Sequence, residues 1–152
     1  ARIVNVGSDA HMISALDPDD LDGGKKRYSI MGAYGRSKLG VAYFTQELAR
    51  RLDGTGVTVN AVDPGPMATG ISKKPGLLPY IADAIIQLTF PSAARAARTA
   101  IHLASSHEVD GVSGKYFRFM KMKEPKLKSG PDFHSRLWEM SARITGVDYP
   151  LI

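Results

Sequence analysis

Residues 3–62 hold the feature that most constrains the fold: two short β-rich runs separated by one long helical pattern. Ile3-Val4-Asn5-Val6 is β-branched and bounded by Gly7-Ser8-Asp9, which predicts a buried strand that ends in a turn. Over residues 33–52, apolar side chains at Val41, Phe44, Leu48 and Leu52 recur at helical spacing, with Glu47, Arg50 and Arg51 elsewhere around the axis. Asp53-Gly54-Thr55-Gly56 stops that helix, and residues 57–62 read as a second strand ended by Asp63-Pro64-Gly65-Pro66. One crossover helix between two strands predicts a parallel pair with a right-handed connection, so the fold class is α/β.

The pattern then repeats more loosely. Residues 77–90 and 92–105 read as helices, the second rich in alanine, and residues 114–119 as a third strand, giving a second crossover. Residues 11–30 read as a charged, turn-rich surface excursion with one short helical turn and no core. Residues 121–131 read as a basic loop, and residues 133–144 as a last helix with helical spacing through Leu137, Met140 or Ser141, and Ile144, and with Gly146 as its C-cap. No internal repeat or linker interrupts the chain, and its 152 residues predict one domain, about three strands with flanking helices.

Composition narrows the function classes. With no cysteine, disulfides, thiolate metal sites and thiol nucleophiles are excluded. His11, His102, His107 and His134 are scattered without ligand spacing, so no metal is expected. A net charge of +5 is small, and it reads as a solubility setting rather than a nucleic-acid surface. The longest apolar stretch, residues 77–90, is interrupted by Pro79, Asp83 and Gln87 and is shorter than the roughly 20 residues a bilayer demands, so no transmembrane segment is expected. The expected location is the cytoplasm, with peripheral attachment to membranes as the variant. An apolar run two residues from the start predicts a chain that begins within a fold.

Tyr34 and Lys38 lie four apart near the start of the long helix and so share a face. An ammonium beside a phenol favours phenolate, which makes a tyrosine usable in proton transfer near neutral pH. Taken alone, such a pair is most often a solvated surface pair, and a serine after a strand, as at Ser8, is commonly a turn or capping residue.

The order of motifs changes that reading. Arg2-Ile3-Val4-Asn5-Val6-Gly7-Ser8 is followed by Tyr34-Gly35-Arg36-Ser37-Lys38, and then by Val59-Asn60-Ala61-Val62-Asp63-Pro64-Gly65-Pro66-Met67-Ala68-Thr69. This series resembles the catalytic, C-terminal half of the short-chain dehydrogenase/reductase family, and covers nearly the whole chain. The gap between Ser8 and Tyr34, the run Ser37-Lys38-Leu39 and the ending Arg136-Leu137-Trp138-Glu139 look most like the retinol-dehydrogenase-like branch.

The resemblance implies the C-terminal half of a Rossmann-type doubly wound parallel sheet. It implies Tyr34 as proton donor or acceptor, Ser8 as hydrogen-bond partner of the substrate oxygen, and Lys38 as partner of nicotinamide ribose hydroxyls. Pro64 and Gly65 would turn beneath the nicotinamide and Thr69 would contact its carboxamide, whereas Asn60 would brace the strand. Gly7 stands where the family often has the first of two serines. The implied reaction is NAD- or NADP-dependent interconversion of an alcohol and a carbonyl, on an apolar substrate met by residues 77–90. A Gly-rich strand–turn–helix for the pyrophosphate is absent: Gly23-Gly24 sits in a charged loop, and the glycines of Gly111-Val112-Ser113-Gly114 precede a strand. The expectation is therefore a half-enzyme, inactive alone, that self-associates or pairs with a missing N-terminal half across an open strand edge. An inactive fragment, or a non-enzymatic module that binds lipids or partners, is the competing reading. Residues 121–128 could touch phosphates or membrane, but a charged loop is usually merely hydrated.

Overall fold

The computed structural model describes residues 1–21, 24, 27–65, 91–125, 127 and 132–147. Its elements in chain order are β1 (Arg2–Val6), 3₁₀ turns at Asp9–Ile13 and Pro18–Asp20, α1 (Ile30–Arg51), β2 (Thr58–Asp63), α2 (Ala93–Ser105), a 3₁₀ turn at His107–Val109, β3 (Tyr116–Arg118), β4 (Lys121–Lys123) and α3 (Phe133–Thr145). The class is α/β as the sequence implies, with parallel β1–β2 and β2–β3 pairs. A fourth strand was not expected: β4 pairs antiparallel with β3, so residues 121–123 belong to the sheet rather than to a loop.

Local chemistry sets the helix limits. The Ser29 side chain accepts the Gly32 amide at 3.4 Å and starts α1, and Arg50 and Arg51 place positive charge at its carbonyl end. Ser92 caps α2 by accepting the Arg95 amide, and Gly146, with φ 66°, closes α3 in the left-handed region.

Helices cover both faces of the sheet. Val4, Val62 and Phe117 share one face and pack with Leu103 of α2 and Val109. On the opposite face Asn5 donates to Thr45 of α1, and Leu39 and Tyr43 of α1 meet Phe133 and Leu137 of α3. Leu16 and Leu21 pack against that second cluster, and His11 and Asp20 are buried, so the first part of the expected surface excursion, residues 11–21, contributes to the core. The inner face of α1 also differs from its most apolar stripe. Leu39, Ala42 and Tyr43 are buried, while Phe44 is 37% exposed and stacks on Trp138 of α3 at 5.4 Å. α3 buries Phe133 and Leu137, but Ile144 is 71% exposed, so the helix leaves the core after its second turn. The predicted helix at 77–90 and Thr69 lie outside the described residues.

β1 has a single neighbour among the described residues. Gly7 donates to the Val62 carbonyl and Thr58 donates to the Ala1 carbonyl, so odd-numbered residues of β1 turn their amide groups toward β2. Arg2, Val4 and Val6 therefore turn theirs to the open edge.

Candidate active site

Ser8, Pro64 and Gly65 lie at the end of the sheet where β1 and β2 stop, and Lys38 reaches that end from α1. Ser8 is extended (φ −165°) and caps the first 3₁₀ turn, its Oγ accepting the Ala10 amide at 3.3 Å. The capping role and a functional role coexist, because an oxygen that accepts still has its own O–H to donate. Gly7, ahead of it, stands where a Cβ would come within 3.0 Å of the Tyr116 ring, which accounts for glycine at this position.

Tyr34 lies in the first turns of α1, 44% exposed. Lys38, one turn on, holds its Nζ 5.7 Å from the centre of the Tyr34 ring while donating to the Val6 carbonyl at 3.1 Å. A single ammonium thus links the face of α1 that carries Tyr34 to the strand that delivers Ser8. The approach of α1 to that strand exit depends on Gly35. A Cβ there would lie 2.8 Å from the Ala10 carbonyl oxygen and 2.2 Å from Ser14 Oγ, and the Ser14 hydroxyl donates to the Gly32 carbonyl.

The turn after β2 is fixed by Asp63, whose Oδ1 accepts the Gly65 amide at 2.7 Å, with Gly65 at φ 75°. Asn60, 4% exposed, spans to the segment before β3: its Nδ2 donates to the Val112 carbonyl at 2.7 Å and its Oδ1 accepts the Lys115 amide at 3.0 Å. Both bonds are made within the fold, in line with the bracing role that the sequence suggested.

Sequence reasoning missed the polar group behind these residues. Arg118 of β3 pairs with Asp9 and lies 3.4 Å from Asp63 Oδ2, which also accepts the Asp9 amide at 3.1 Å. One guanidinium therefore ties together the residue after Ser8 and the residue before Pro64. Tyr116 reaches Asp9 Oδ1 at 3.4 Å; burial above all, and then the Asp63 and Asp9 carboxylates, push its phenol far up, so it stays protonated. No spacing rule joins residues 9, 63 and 118; the signal was an acid at the end of β2 and another three residues past the end of β1.

A cleft of about 440 Å³ lies between α1 and α3 beside β1, lined by Asn5, Val6, Val41, Phe44, Leu137 and Trp138 among others. Ser8, Tyr34 and Lys38 do not line it.

A family model described as short chain dehydrogenase matches residues 22–76. Retinol dehydrogenase 13 of Homo sapiens is 37% identical over 158 residues, taking in 100% of this chain and 48% of that protein. Among solved structures, an uncharacterized protein from Mycobacterium paratuberculosis is 27% identical with a TM-score of 0.68, over 99% of this chain and 52% of that one. A 3-oxoacyl-(acyl-carrier protein) reductase from Brucella melitensis, with bound NAD, is 26% identical with a TM-score of 0.51, over 78% of this chain and 39% of that one. The chain spans about half the length of the curated relatives it matches.

Fold, motif order and these matches place the chain in the short-chain dehydrogenase/reductase family, a family of oxidoreductases. Within that family it belongs with the retinol-dehydrogenase-like branch.

Proposed function

We propose that this chain forms the catalytic half of an NAD(P)-dependent oxidoreductase that interconverts an apolar alcohol, of the retinol kind, and its carbonyl compound. The observation that carries the reading is the Lys38 ammonium held between the Val6 carbonyl and the Tyr34 ring. It brings a proton-transfer tyrosine, a cation and the strand exit of Ser8 to one rim of the sheet.

The donor set fits a nicotinamide nucleotide. An ammonium carries three N–H groups and Lys38 gives one to Val6, which leaves donors for the ribose hydroxyls. Gly65 holds the turn in the left-handed region, and Pro64, Gly65 and Thr69 would line one side of the nicotinamide. When bound, the cofactor supplies or accepts the hydride. The chain's own part is the proton and its placement: Tyr34 Oη gives a proton to the carbonyl oxygen in reduction and takes it back in oxidation. Ser8 Oγ–H donates to the same oxygen and holds it in register with Tyr34. The pyrophosphate needs a Gly-rich strand–turn–helix, which these 152 residues do not contain. In this reading that unit pairs with the open edge of β1 and covers the adjoining α1–α3 cleft.

The test is complementation. The chain is co-produced with the dinucleotide-binding half of human retinol dehydrogenase 13, and NADH- or NADPH-dependent reduction of retinal is followed. Tyr34→Phe is expected to lower kcat at least about 10²-fold, with cofactor binding by calorimetry unchanged. A variant that kept most of its rate would remove Tyr34 from the role of proton donor.

A further inference from the structure

β3 and β4 are joined by the two residues Phe119 and Met120, with φ of 51° and 58°. Successive left-handed residues make the hairpin turn for which Asn-Gly or Asp-Gly is preferred, because side chains with a Cβ enter that region at a cost. Here the turn carries two large apolar side chains, 56% and 51% exposed, with Met122 beside them 50% exposed. Backbone strain of this kind persists only where the surroundings hold it in place, and it clusters at functional sites. The tip is also held firmly. The Met120 amide donates to Thr99 Oγ1 at 3.2 Å, the Phe119 ring lies against Gly65, and the Arg118 guanidinium sits 4.9 Å from that ring.

Exposed cations lie on both elements that the tip joins or touches. Lys121 and Lys123 are exposed on β4, and the bond to Thr99 brings alongside it the part of α2 where Arg95 and Arg98 are exposed; the exposed acid next in sequence is Glu124. Lysine on an outer strand guards against edge pairing, and that alone would account for Lys121 and Lys123. It does not account for Phe119, Met120 and Met122, which a hydrated hairpin would replace. A convex two-residue tip is also far smaller than the roughly 800 Å² per partner of a stable protein interface.

We infer that the β3–β4 hairpin seats in the surface of an anionic bilayer, Phe119 and Met120 entering the headgroup boundary while Lys121, Lys123, Arg95 and Arg98 meet the lipid anions. Because β1, β2 and β3 run parallel, this tip stands on the same rim as Ser8 and Pro64, so docking turns that rim toward the membrane. Docking of this kind does not depend on turnover.

The purified chain is sedimented with vesicles of phosphatidylcholine alone and with vesicles containing phosphatidylserine. Binding is expected to the anionic vesicles only, and to fall with salt. Lys121→Gln with Lys123→Gln should lower the partition coefficient about five-fold for each charge removed. Phe119→Asn with Met120→Gly installs the preferred turn, so this variant should melt higher than the parent yet lose binding, a combination that misfolding cannot produce. Failure of the parent chain to bind anionic vesicles would overturn the inference, as would unchanged binding by the Asn-Gly variant. Equal binding to neutral vesicles would also overturn it.

Discussion

Gly35 and Gly40 sit on the same helix, and changing each to alanine is the same chemistry in two surroundings. In the interior of a helix the change gains about 1 kcal/mol of propensity. At Gly40 the added methyl would find only Leu16 Cδ1, at 3.9 Å, an ordinary contact. Gly40→Ala should therefore raise the melting temperature by about 2–4 °C, the usual yield of about 1 kcal/mol in a domain of this size. At Gly35 the methyl would meet the Ala10 carbonyl oxygen at 2.8 Å, and reaching an ordinary contact of 3.4 Å means opening α1 from the 3₁₀ turn by about 0.6 Å. Overpacking of this kind costs about 1–3 kcal/mol, which outweighs the propensity gain. Gly35→Ala should lower the melting temperature by about 2–4 °C for a net loss near 1 kcal/mol. Tyr34 is the neighbouring residue, and misplacement by about 1 Å can cost about 10²-fold in rate. The complemented enzyme should accordingly lose about ten-fold in kcat/KM. The two melting curves, by circular dichroism, decide the matter. If Gly35→Ala stabilises the chain as much as Gly40→Ala does, the close approach of α1 to the Ser8 turn is wrong.

Two further outcomes follow from buried polar groups. Asn60→Ala strands the Val112 carbonyl and the Lys115 amide and should cost about 2–3 kcal/mol in a urea titration, with the midpoint falling and the slope unchanged. Glu47 is held below its ordinary 4.5, first by its hydrogen bond to Arg50 and also by Arg51, against an opposing effect of burial. The unfolded chain therefore takes up that proton first as pH falls. The stability Glu47 contributes is full above about pH 4.5 and disappears as pH drops through the lower folded-state value. Glu47→Gln should remove that part of the acid limb and cost about 1–2 kcal/mol at neutral pH, a figure kept small because Arg50 is 65% exposed. Melting curves from pH 7 down to about pH 3 would show whether the two chains converge.

Much of the fold was legible because β1, α1 and β2 obey simple periods. Branched residues fill the strands, and Asp53-Gly54-Thr55-Gly56 ends the helix region as expected. The inner face of α1 does not follow its apolar stripe, for a physical reason. A helix covered by a sheet on one side and by α3 on another has two inner faces, so Phe44 could be apolar without facing the sheet. Polar residues fill the remainder: Thr45 bonds Asn5, and the Glu47 carboxylate is satisfied by two arginines. β4 was hidden because Lys121-Met122-Lys123 reads as hydrated loop and Phe119-Met120 lacks the turn residues that announce a hairpin. Ser8, Tyr34 and Lys38 were visible as an ordered series; the Asp9–Arg118–Asp63 group was not, because it exists only once three strands are aligned.

The sheet register also sets a timetable for folding. Arg2 pairs with Thr58, a separation of 56 residues, and Ala61 pairs with Tyr116, a separation of 55. At a synthesis rate of about 5–20 residues per second, β2 emerges roughly 3–11 s after β1. During that interval α1, whose backbone bonds are all local, can form, so β1 meets the helix that carries Tyr34 and Lys38 before it meets β2. Contact between Lys38 and the Val6 carbonyl can thus precede the sheet and hold the strand in place until β2 arrives.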